Sequence, residues 1–259
     1  MSGSVNGRDP KSQDRGPPQG VEAILLAAGR GVRLGSLTRS LPKVLLPVNG
    51  RPLLDYHLEA LRSVGVRRVS LVVSYLADRV ERHVDEGRSF GLDVVSVRQH
   101  EPLGTGDAVR VGGSQIQSDP FLVCYADIFV PEEASLLREL LADGEAKITG
   151  AQVPDAGGFG RLMTRNEGGG LRLVGIREKD GQRSPGLVNA GYYLLPRSLL
   201  AVVADLPRSP RGEYELTDAL VEHVRRGASV RVVPVKAWVD AGTPENLALA
   251  NELARRNST

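Results

Sequence analysis

The sequence is poor in the residues that build disulfides, zinc sites and thiol chemistry. Its 259 residues include one cysteine, Cys124, and four histidines. A lone cysteine cannot form an intrachain disulfide, and the histidines have no short metal-ligand spacing. Cys124 lies in the apolar run FLVCYAD, where a buried and inert thiol is expected. These absences argue against a disulfide scaffold, a zinc centre and a cysteine nucleophile, and they fit a reducing compartment.

The chain also lacks a long apolar run and a large excess of charge of either sign. No run reaches the roughly 20 residues of a membrane helix, and 33 basic and 31 acidic residues leave a net charge of +2. This balance gives no reason to expect nucleic acid or an acidic membrane surface as a partner. We therefore expect a cytoplasmic protein without such partners, whereas a homo-oligomer remains open.

The pattern along the chain predicts one folded domain after a disordered extension. Residues 1–20 contain almost no apolar side chains, so they lack the hydrophobic segment of a signal peptide. Over residues 21–145, strand-type runs that are apolar on both faces alternate with helical patterns, as in a parallel sheet covered by helices. Over residues 146–259, several strands are separated by glycine-rich turns, which suggests a more antiparallel half. The prediction is an α/β domain over 21–259, built on a Rossmann-like, mostly parallel mixed sheet flanked by helices.

A glycine-rich loop with several cations follows the first predicted strand directly, in the stretch LAAGRGVRLGSLTRSLPKVLLPV from 26 to 48. Backbone N–H groups at the carboxyl end of a parallel strand can approach a phosphate. Arg33, Arg39 and Lys43 add positive charge suited to a polyphosphate. A structural turn or a solvated basic loop is the alternative, but the apolar run after Lys43 would anchor that lysine beside the sheet. A dinucleotide-binding loop is disfavoured, because the third glycine of G-x-G-x-x-G would fall at residue 34 and stands at 35.

The same loop resembles a known family. Residues 25–43 are similar to the signature L-A-A-G-x-G-x-R-L-x-x-L-T-x-x-x-P-K of the sugar-1-phosphate nucleotidyltransferases, here in a short form without a C-terminal β-helix. The resemblance implies a glycosyltransferase-A-like fold. It further implies that the loop and an arginine hold the β- and γ-phosphates of a nucleoside triphosphate, while a lysine contacts the α-phosphate. The matching residues are Leu26, Ala27, Ala28, Gly29, Gly31, Arg33 and Lys43. The sequence departs from the family at Val32, where Thr or Ser is frequent, and at Ser36, where Pro is common.

Three further segments extend the resemblance. The segment QHEPLGTGDAV is similar to the part of the family that contacts the nucleobase, which implies this role for Gln99, Leu103, Gly104 and Thr105. Asp127 ends a predicted strand, and the family's W-x-D-x-G-T-P signature contains Asp240, so the two carboxylates are implied ligands of Mg²⁺. The segment EYELTD resembles a family segment to which we assign a supporting role, with Thr217 as the predicted N-cap of a helix. Thr243 is the predicted N-cap of the last helix, with Pro244 in its first turn.

The second half of the chain carries the residues implied for the sugar phosphate. By this resemblance Lys179 would hold the phosphate, Glu178 and Asn189 would contact sugar hydroxyl groups, and the Gly160 backbone would lie near the sugar ring. The residues are Gly160, Glu178, Lys179, Asn189 and Gly191. An exposed Glu-Lys pair of little energetic value is the alternative for Glu178 and Lys179.

These observations predict a Mg²⁺-dependent transfer of a nucleotidyl group from UTP, dTTP or GTP to a sugar 1-phosphate. Arg33, Lys43 and Lys179 would be the catalytic residues, and the acceptor phosphate would attack the α-phosphorus in line. Three alternatives stay open: an inactive nucleotide or sugar-phosphate sensor, a cytidylyl- or guanylyltransferase acting on a non-sugar phosphate, and, least favoured, a dinucleotide-dependent oxidoreductase. The sequence does not decide the base or the sugar.

Overall fold

The computed structural model describes residues 20–179 and 181–257. The predicted N-terminal extension, apart from Gly20, lies outside the described residues. Within them, one mixed sheet of nine strands runs through both predicted halves. Its strands are β1 (Ala23–Leu26), β4 (Arg68–Val73), β5 (Asp93–Arg98), β6 (Phe121–Tyr125), β8 (Lys147–Val153), β9 (Gly160–Glu167), β10 (Gly170–Glu178), β11 (Gly186–Leu195) and β12 (Arg231–Val235).

Four strands at one end of the sheet are parallel. The order across the sheet is β5-β4-β1-β6-β11-β8-β12-β10-β9, and the pairs from β5 to β6 all run in the same direction. Beyond β6 the pairs are antiparallel, except that β12 runs parallel to β8. The predicted α/β class, with a parallel part and a more antiparallel half, is confirmed. The carboxyl ends of β1, β4, β5 and β6 therefore meet at one edge.

Two short strand pairs lie outside the main sheet. One pair is β2 (Pro47–Val48) with β3 (Arg51–Pro52), and the other is β7 (Ile128–Phe129) with β13 (Val239–Asp240). The second pair matters for the site, because Asp240 pairs with Ile128, the residue after Asp127. Backbone pairing thus joins two aspartates that are far apart in the sequence.

Seven α-helices among the described residues cover the two faces of the sheet. They are α1 (Leu53–Ser63), α2 (Ala77–His83), α3 (Thr105–Gly113), α4 (Glu133–Leu141), α5 (Leu199–Ala204), α6 (Leu216–Arg225) and α7 (Pro244–Arg256). Short 3₁₀ segments span Val32–Thr38 and Lys43–Leu45, and a π-type turn spans Val84–Arg88. Within the described ranges, no helix is long and apolar enough to cross a membrane.

The strands are apolar on both faces because both faces of the sheet are covered. In β1, Ala23 and Leu25 belong to one core cluster, whereas Ile24 and Leu26 belong to another. This alternation follows the two-residue period of a strand. The first cluster includes side chains of α1 and α4, and the second includes side chains of α3, α5 and α6. Continuous apolar runs are therefore what this architecture requires.

The two predicted helix caps have different outcomes. Thr243 caps α7 as predicted, since its hydroxyl accepts a hydrogen bond from the Asn246 N–H at 3.2 Å and Pro244 follows it. The prediction that Thr217 caps α6 is wrong, because α6 begins at Leu216. The physical reason is tertiary: the Leu216 N–H donates to the hydroxyl of Thr105 at 3.1 Å. A side chain distant in sequence performs the task expected of a local cap.

Candidate active site

A cleft of about 720 Å³ lies at the carboxyl edge of the parallel strands and extends towards the antiparallel half. Its lining includes eight of the residues predicted from the sequence. They are Arg33, Thr105, Asp127, Gly160, Glu178, Lys179, Asn189 and Asp240. The remaining predicted residues do not line this cleft. They are Leu26, Ala27, Ala28, Gly29, Gly31, Lys43, Gln99, Leu103, Gly104 and Gly191.

The glycine loop turns tightly at the end of β1. Gly31 has φ +64°, and a Cβ atom built on it would lie 2.9 Å from Thr38 Cγ2 and 3.2 Å from Lys43 Cβ. The Thr38 hydroxyl donates to the Gly31 carbonyl at 3.0 Å and closes the turn. Glycine is therefore required at position 31 both by backbone conformation and by space.

The backbone of this loop offers unused donors. Among the described residues, no hydrogen bond is made by the N–H groups of Gly29, Arg30 or Gly31. Gly29 and Arg30 are also exposed. Free N–H groups at a strand end, beside cationic side chains, form the kind of concavity that binds phosphate oxygens.

Lys43 brings the loop and the two aspartates together. Its side chain is only 5% exposed, and its Nζ lies 2.7 Å from Asp127 Oδ2 and 3.3 Å from Asp240 Oδ1. Arg33 adds a second cation, with Nη2 at 3.3 Å from the other oxygen of Asp240. Gly242 packs against this group, because a Cβ on it would lie 2.6 Å from Arg33 Nη2 and 3.2 Å from Lys43 Nζ. Two cations and two carboxylates thus converge from three distant parts of the chain.

The charges of this group stabilise one another. Burial lowers the pKa of Lys43, but Asp127 and Asp240 raise it by more, so it lies above its ordinary value of 10.5. Burial raises the pKa of Asp127, but Lys43 lowers it by more, so it lies below its ordinary value of 3.8. At neutral pH the lysine is therefore an ammonium and Asp127 a carboxylate.

The two aspartates fit the expected magnesium ion in donor chemistry. Carboxylate oxygens are hard donors of the type that Mg²⁺ prefers, and both already flank a single cationic atom, the Nζ of Lys43. The described residues contain no group of three or more His, Cys, Asp or Glu side chains that could hold a metal. Such an ion would therefore depend on substrate phosphates and water for its remaining ligands.

The segment predicted for the nucleobase lies beside the parallel strands. Gln99 follows β5 and is buried. Its backbone N–H donates to the Val73 carbonyl at 2.8 Å. Gly104 has φ +101°, and a Cβ on it would lie 2.5 Å from the Tyr214 carbonyl. Gly106 donates its N–H to the same carbonyl at 2.7 Å. The glycines of this segment therefore permit close packing on the EYELTD segment, in addition to any role with a ligand.

Four of the five residues predicted for the sugar phosphate line the far end of the cleft, and Gly191 is the exception. Gly160 on β9 pairs with Glu178 on β10, and a Cβ on Gly160 would lie 2.6 Å from Glu178 Oε1. Lys179 follows β10 with φ 42°, an uncommon conformation for a residue with a side chain. Nη2 of Arg211 lies 3.7 Å from Oε2 of Glu178 and 2.5 Å from Oε1 of Glu215. This end of the cleft is thus rich in charged and polar groups.

Asn189 and Gly191 shape a bulge in β11. The Asn189 side chain accepts from the Gly191 N–H at 3.0 Å and donates to the Tyr193 hydroxyl at 2.6 Å. Gly191 has φ +83°, and a Cβ there would lie 3.0 Å from the ring of Tyr125. Because these bonds orient the Asn189 amide, it has one N–H and one further lone pair left for a ligand.

Several lining residues were not singled out from the sequence. Tyr125 packs on Tyr193 with 3.0 Å between the hydroxyl oxygens, and burial raises the pKa of Tyr125 to about 12. Trp238 donates its indole N–H to the Ala190 carbonyl at 3.0 Å and packs edge-on against Phe159. Trp238 and Gly242 both lie in the W-x-D-x-G-T-P segment, so a signal for them existed, whereas the apolar run around Tyr125 gave none.

Comparison with known proteins identifies the family to which this chain belongs. The model of the nucleotidyl transferase family matches residues 22–257. The chain belongs to this family, as its loop signature indicated.

Individual relatives are similar to much of the chain. It is 31% identical over 235 residues to a glucose-1-phosphate thymidylyltransferase of Streptomyces antibioticus, covering 89% of this chain and 65% of the relative. It is 32% identical over 236 residues to a protein of the same name from Streptomyces griseus, covering 90% and 66%. The chain thus spans just under two thirds of the length of these relatives.

A solved structure extends the likeness of the fold. A UDP-glucose pyrophosphorylase complexed with UDP-glucose superposes with a TM-score of 0.78 at 19% identity, covering 91% of this chain and 98% of that one. At this identity the likeness concerns the fold.

Proposed function

We propose that this protein transfers a nucleotidyl group from a nucleoside triphosphate to a sugar 1-phosphate, forming a nucleoside diphosphate sugar and pyrophosphate. The observation that carries the proposal is the group of Lys43, Asp127 and Asp240 beside the free N–H groups of the glycine loop. The names of the relatives, which contain a sugar 1-phosphate and a nucleotidyl transfer, support the same reaction.

The glycine loop is proposed to hold the triphosphate. The N–H groups of Gly29 and Gly31 would donate to the β- and γ-phosphates, and Arg33, whose side chain is 66% exposed, reaches into the cleft beside them. Fixed donors and a guanidinium stabilise the negative charge that develops on the departing pyrophosphate. Lys43 would then contact the α-phosphate.

Asp127 and Asp240 are proposed to hold Mg²⁺ together with the triphosphate. When bound, the ion supplies charge neutralisation and alignment of the phosphate oxygens. The position of Lys43 between the two carboxylates supports this assignment, because a cationic atom is already favourable there. When the triphosphate binds, the Lys43 ammonium would contact a phosphate oxygen and give up its contact with one of the two carboxylates.

The sugar 1-phosphate is proposed to bind at the far end of the cleft. Lys179 would hold its phosphate, and Glu178 and Asn189 would contact hydroxyl groups of the sugar. A phosphate monoester has a second pKa of about 6, so at neutral pH it is largely a dianion and needs no general base. Its oxygen would attack the α-phosphorus in line, with pyrophosphate leaving on the opposite side.

A matrix of nucleoside triphosphates against sugar 1-phosphates, read by release of pyrophosphate, tests the proposal. We expect at least one pair to give Mg²⁺-dependent release. Asp127→Asn and Asp240→Asn should each reduce it strongly, whereas Asp93→Asn, which changes an exposed carboxylate paired with Arg68, should not. Circular dichroism of each variant controls for folding.

Three outcomes would contradict the proposal. Full activity of both aspartate variants would remove the metal site. Nucleotide binding without release of pyrophosphate for any sugar 1-phosphate would favour a sensor. Release that requires a non-sugar phosphate would replace the acceptor class while keeping the nucleotide site.

A further inference from the structure

Two loop segments line the far end of the cleft. The first lining segment comprises residues 154–159, between β8 and β9, and the second comprises residues 181–185, between β10 and β11. Phe159 of the first and Arg183 of the second are among the residues that line the cleft. Lys179, which the proposed function places on the sugar phosphate, lies just before the second segment. The conformation of the second segment therefore bears on the direction of the Lys179 side chain.

Backbone hydrogen bonds join the two lining segments. The Gly181 N–H donates to the Gly157 carbonyl at 3.2 Å, and the Ala156 N–H donates to the Ser184 carbonyl at 3.0 Å. The segments approach each other closely, because a Cβ on Gly157 would lie 3.0 Å from the carbonyl carbon of Gly181. The two segments thus form one hydrogen-bonded unit beside the cleft.

Arg161 on β9 holds the second lining segment through its guanidinium. Its Nη2 donates to the carbonyls of Gln182 at 2.9 Å and Ser184 at 3.4 Å, and to the Ser184 hydroxyl at 3.1 Å. Its Nη1 donates to the Pro185 carbonyl at 3.0 Å. A planar guanidinium presents several donors in a fixed arrangement, which an ammonium group cannot reproduce. Space for this group depends on Gly186, because a Cβ there would collide with Nη1 of Arg161.

The backbone of Lys179 needs support from its surroundings. Its φ of 42° is uncommon for a residue with a side chain, and such a conformation persists only where neighbouring contacts impose it. One contact is the hydrogen bond from the Lys179 N–H to the Phe159 carbonyl, at 3.0 Å. The contacts of Arg161 hold the chain that follows. Together they fix the backbone on both sides of this lysine.

From these contacts we infer that Arg161 is a positioning residue for the sugar-phosphate end of the cleft. The inference rests on the proposed function, in which Lys179 holds the phosphate of the acceptor. Arg161 acts on that phosphate through the backbone of the second lining segment, which keeps Lys179 in place. The nucleoside triphosphate is proposed to bind the glycine loop and Lys43, which lie in a different part of the chain. Loss of Arg161 should therefore weaken the acceptor and spare the donor.

Three variants remove this support in different ways. Arg161→Met removes the donors and keeps most of the apolar stem. The KM for the sugar 1-phosphate should rise about tenfold or more, because hydrogen bonds from a charged donor are lost, while the KM for the nucleoside triphosphate stays unchanged. Arg161→Lys should recover little of this loss, since one ammonium cannot hold three carbonyls. Gly186→Ala keeps every charge but displaces the guanidinium, so it should raise the same KM.

Arg165→Met is the matched control. Arg165 lies on the same strand as Arg161, but its side chain is 69% exposed and pairs with Glu167. The substitution makes the same change of charge and shape without touching the second lining segment. Both KM values should therefore remain those of the wild type.

The experiment combines initial rates of pyrophosphate release, with each substrate varied in turn, and amide hydrogen exchange of peptides covering 154–159 and 181–186. Arg161→Met, Arg161→Lys and Gly186→Ala should all show a raised KM for the sugar 1-phosphate alone and faster exchange in both segments. Gly186→Ala carries the test if Arg161→Met does not fold.

Three results would overturn the inference and leave the proposed function intact, since the wild type still releases pyrophosphate in each. The first is a wild-type KM for the sugar 1-phosphate in Arg161→Met and Gly186→Ala. The second is a rise of both KM values by one common factor. The third is full activity of Arg161→Lys, which would mean that charge alone matters. A wild type that releases no pyrophosphate with any pair of substrates would overturn both.

Discussion

Replacing Lys43 with methionine removes the one ammonium that touches both Asp127 and Asp240, while keeping most of the apolar stem. Loss of one partner from a buried ion pair costs about 3–5 kcal/mol. The Asp127 side chain is 35% exposed, so water screens part of the remaining charge, and we expect a loss of about 1–3 kcal/mol at neutral pH. For a chain of this size that lowers the melting temperature by several degrees, measurable by calorimetry.

The loss of stability should depend on pH. The pKa of Asp127 in the folded protein lies below its ordinary value of 3.8 because of Lys43. Stability gained from this pair is therefore present above pH 3.8 and is lost as the pH falls through the lowered pKa. The difference in melting temperature between the wild type and Lys43→Met should be large at pH 7 and should close in strong acid.

Mg²⁺ should separate this variant from a general loss of core packing. In Lys43→Met the two carboxylates lack their shared ammonium, so the ion should stabilise this variant more than the wild type. Lys147→Met is the matched control: Lys147 is 1% exposed, pairs with Asp143 instead of the two cleft aspartates, and donates to the Leu140 carbonyl. Equal stability of Lys43→Met and wild type at pH 7, or an equal response of both variants to Mg²⁺, would refute the reasoning.

Three further predictions concern the loop, the core and the cleft. Gly31→Ala should abolish nucleotide binding in calorimetry, because its Cβ would lie 2.9 Å from a neighbouring side chain. Gly35→Ala has open space around its Cβ, so it should cost only about 1–2 kcal/mol of backbone strain. Equal effects of the two variants on nucleotide binding would contradict this. Burial lowers the pKa of His57, but Glu133 raises it by more, so it lies above its ordinary value of 6.5. The stability that Glu133→Gln loses relative to the wild type should therefore be largest below pH 6.5 and should diminish as the pH rises through the raised pKa. Melting curves from pH 6 to 9 measure this, and a difference in melting temperature that stays constant with pH would count against it. Trp238 is the only tryptophan and lines the cleft, so binding of sugar phosphate should change its fluorescence; unchanged emission at saturation would place the ligand elsewhere.

Patterns in the sequence predicted the sheet and much of the loop because they reflect local requirements. Apolar runs on both faces predicted strands covered on both sides, and β1 has this arrangement. The requirement for glycine at position 31 could also be anticipated, since a tight turn after a strand needs a positive φ.

Contacts between distant segments could not be predicted in the same way. The sequence implied a phosphate role for Lys43 and a metal role for Asp127 and Asp240, but not that the lysine lies between the two carboxylates, which depends on the pairing of β7 with β13. Thr217 was a reasonable local cap, yet the hydroxyl of Thr105 takes the amide of the preceding residue. Local propensity carries no information about such tertiary partners.

The most direct test of the proposed reaction follows the phosphorus atoms of the donor. A nucleoside triphosphate labelled at the α-phosphorus, incubated with Mg²⁺ and a sugar 1-phosphate, should give a labelled nucleoside diphosphate sugar, while a γ-labelled donor should give labelled pyrophosphate. Transfer of the γ-label to the sugar phosphate, or an α-label that remains in free nucleotide while pyrophosphate is released, would contradict nucleotidyl transfer.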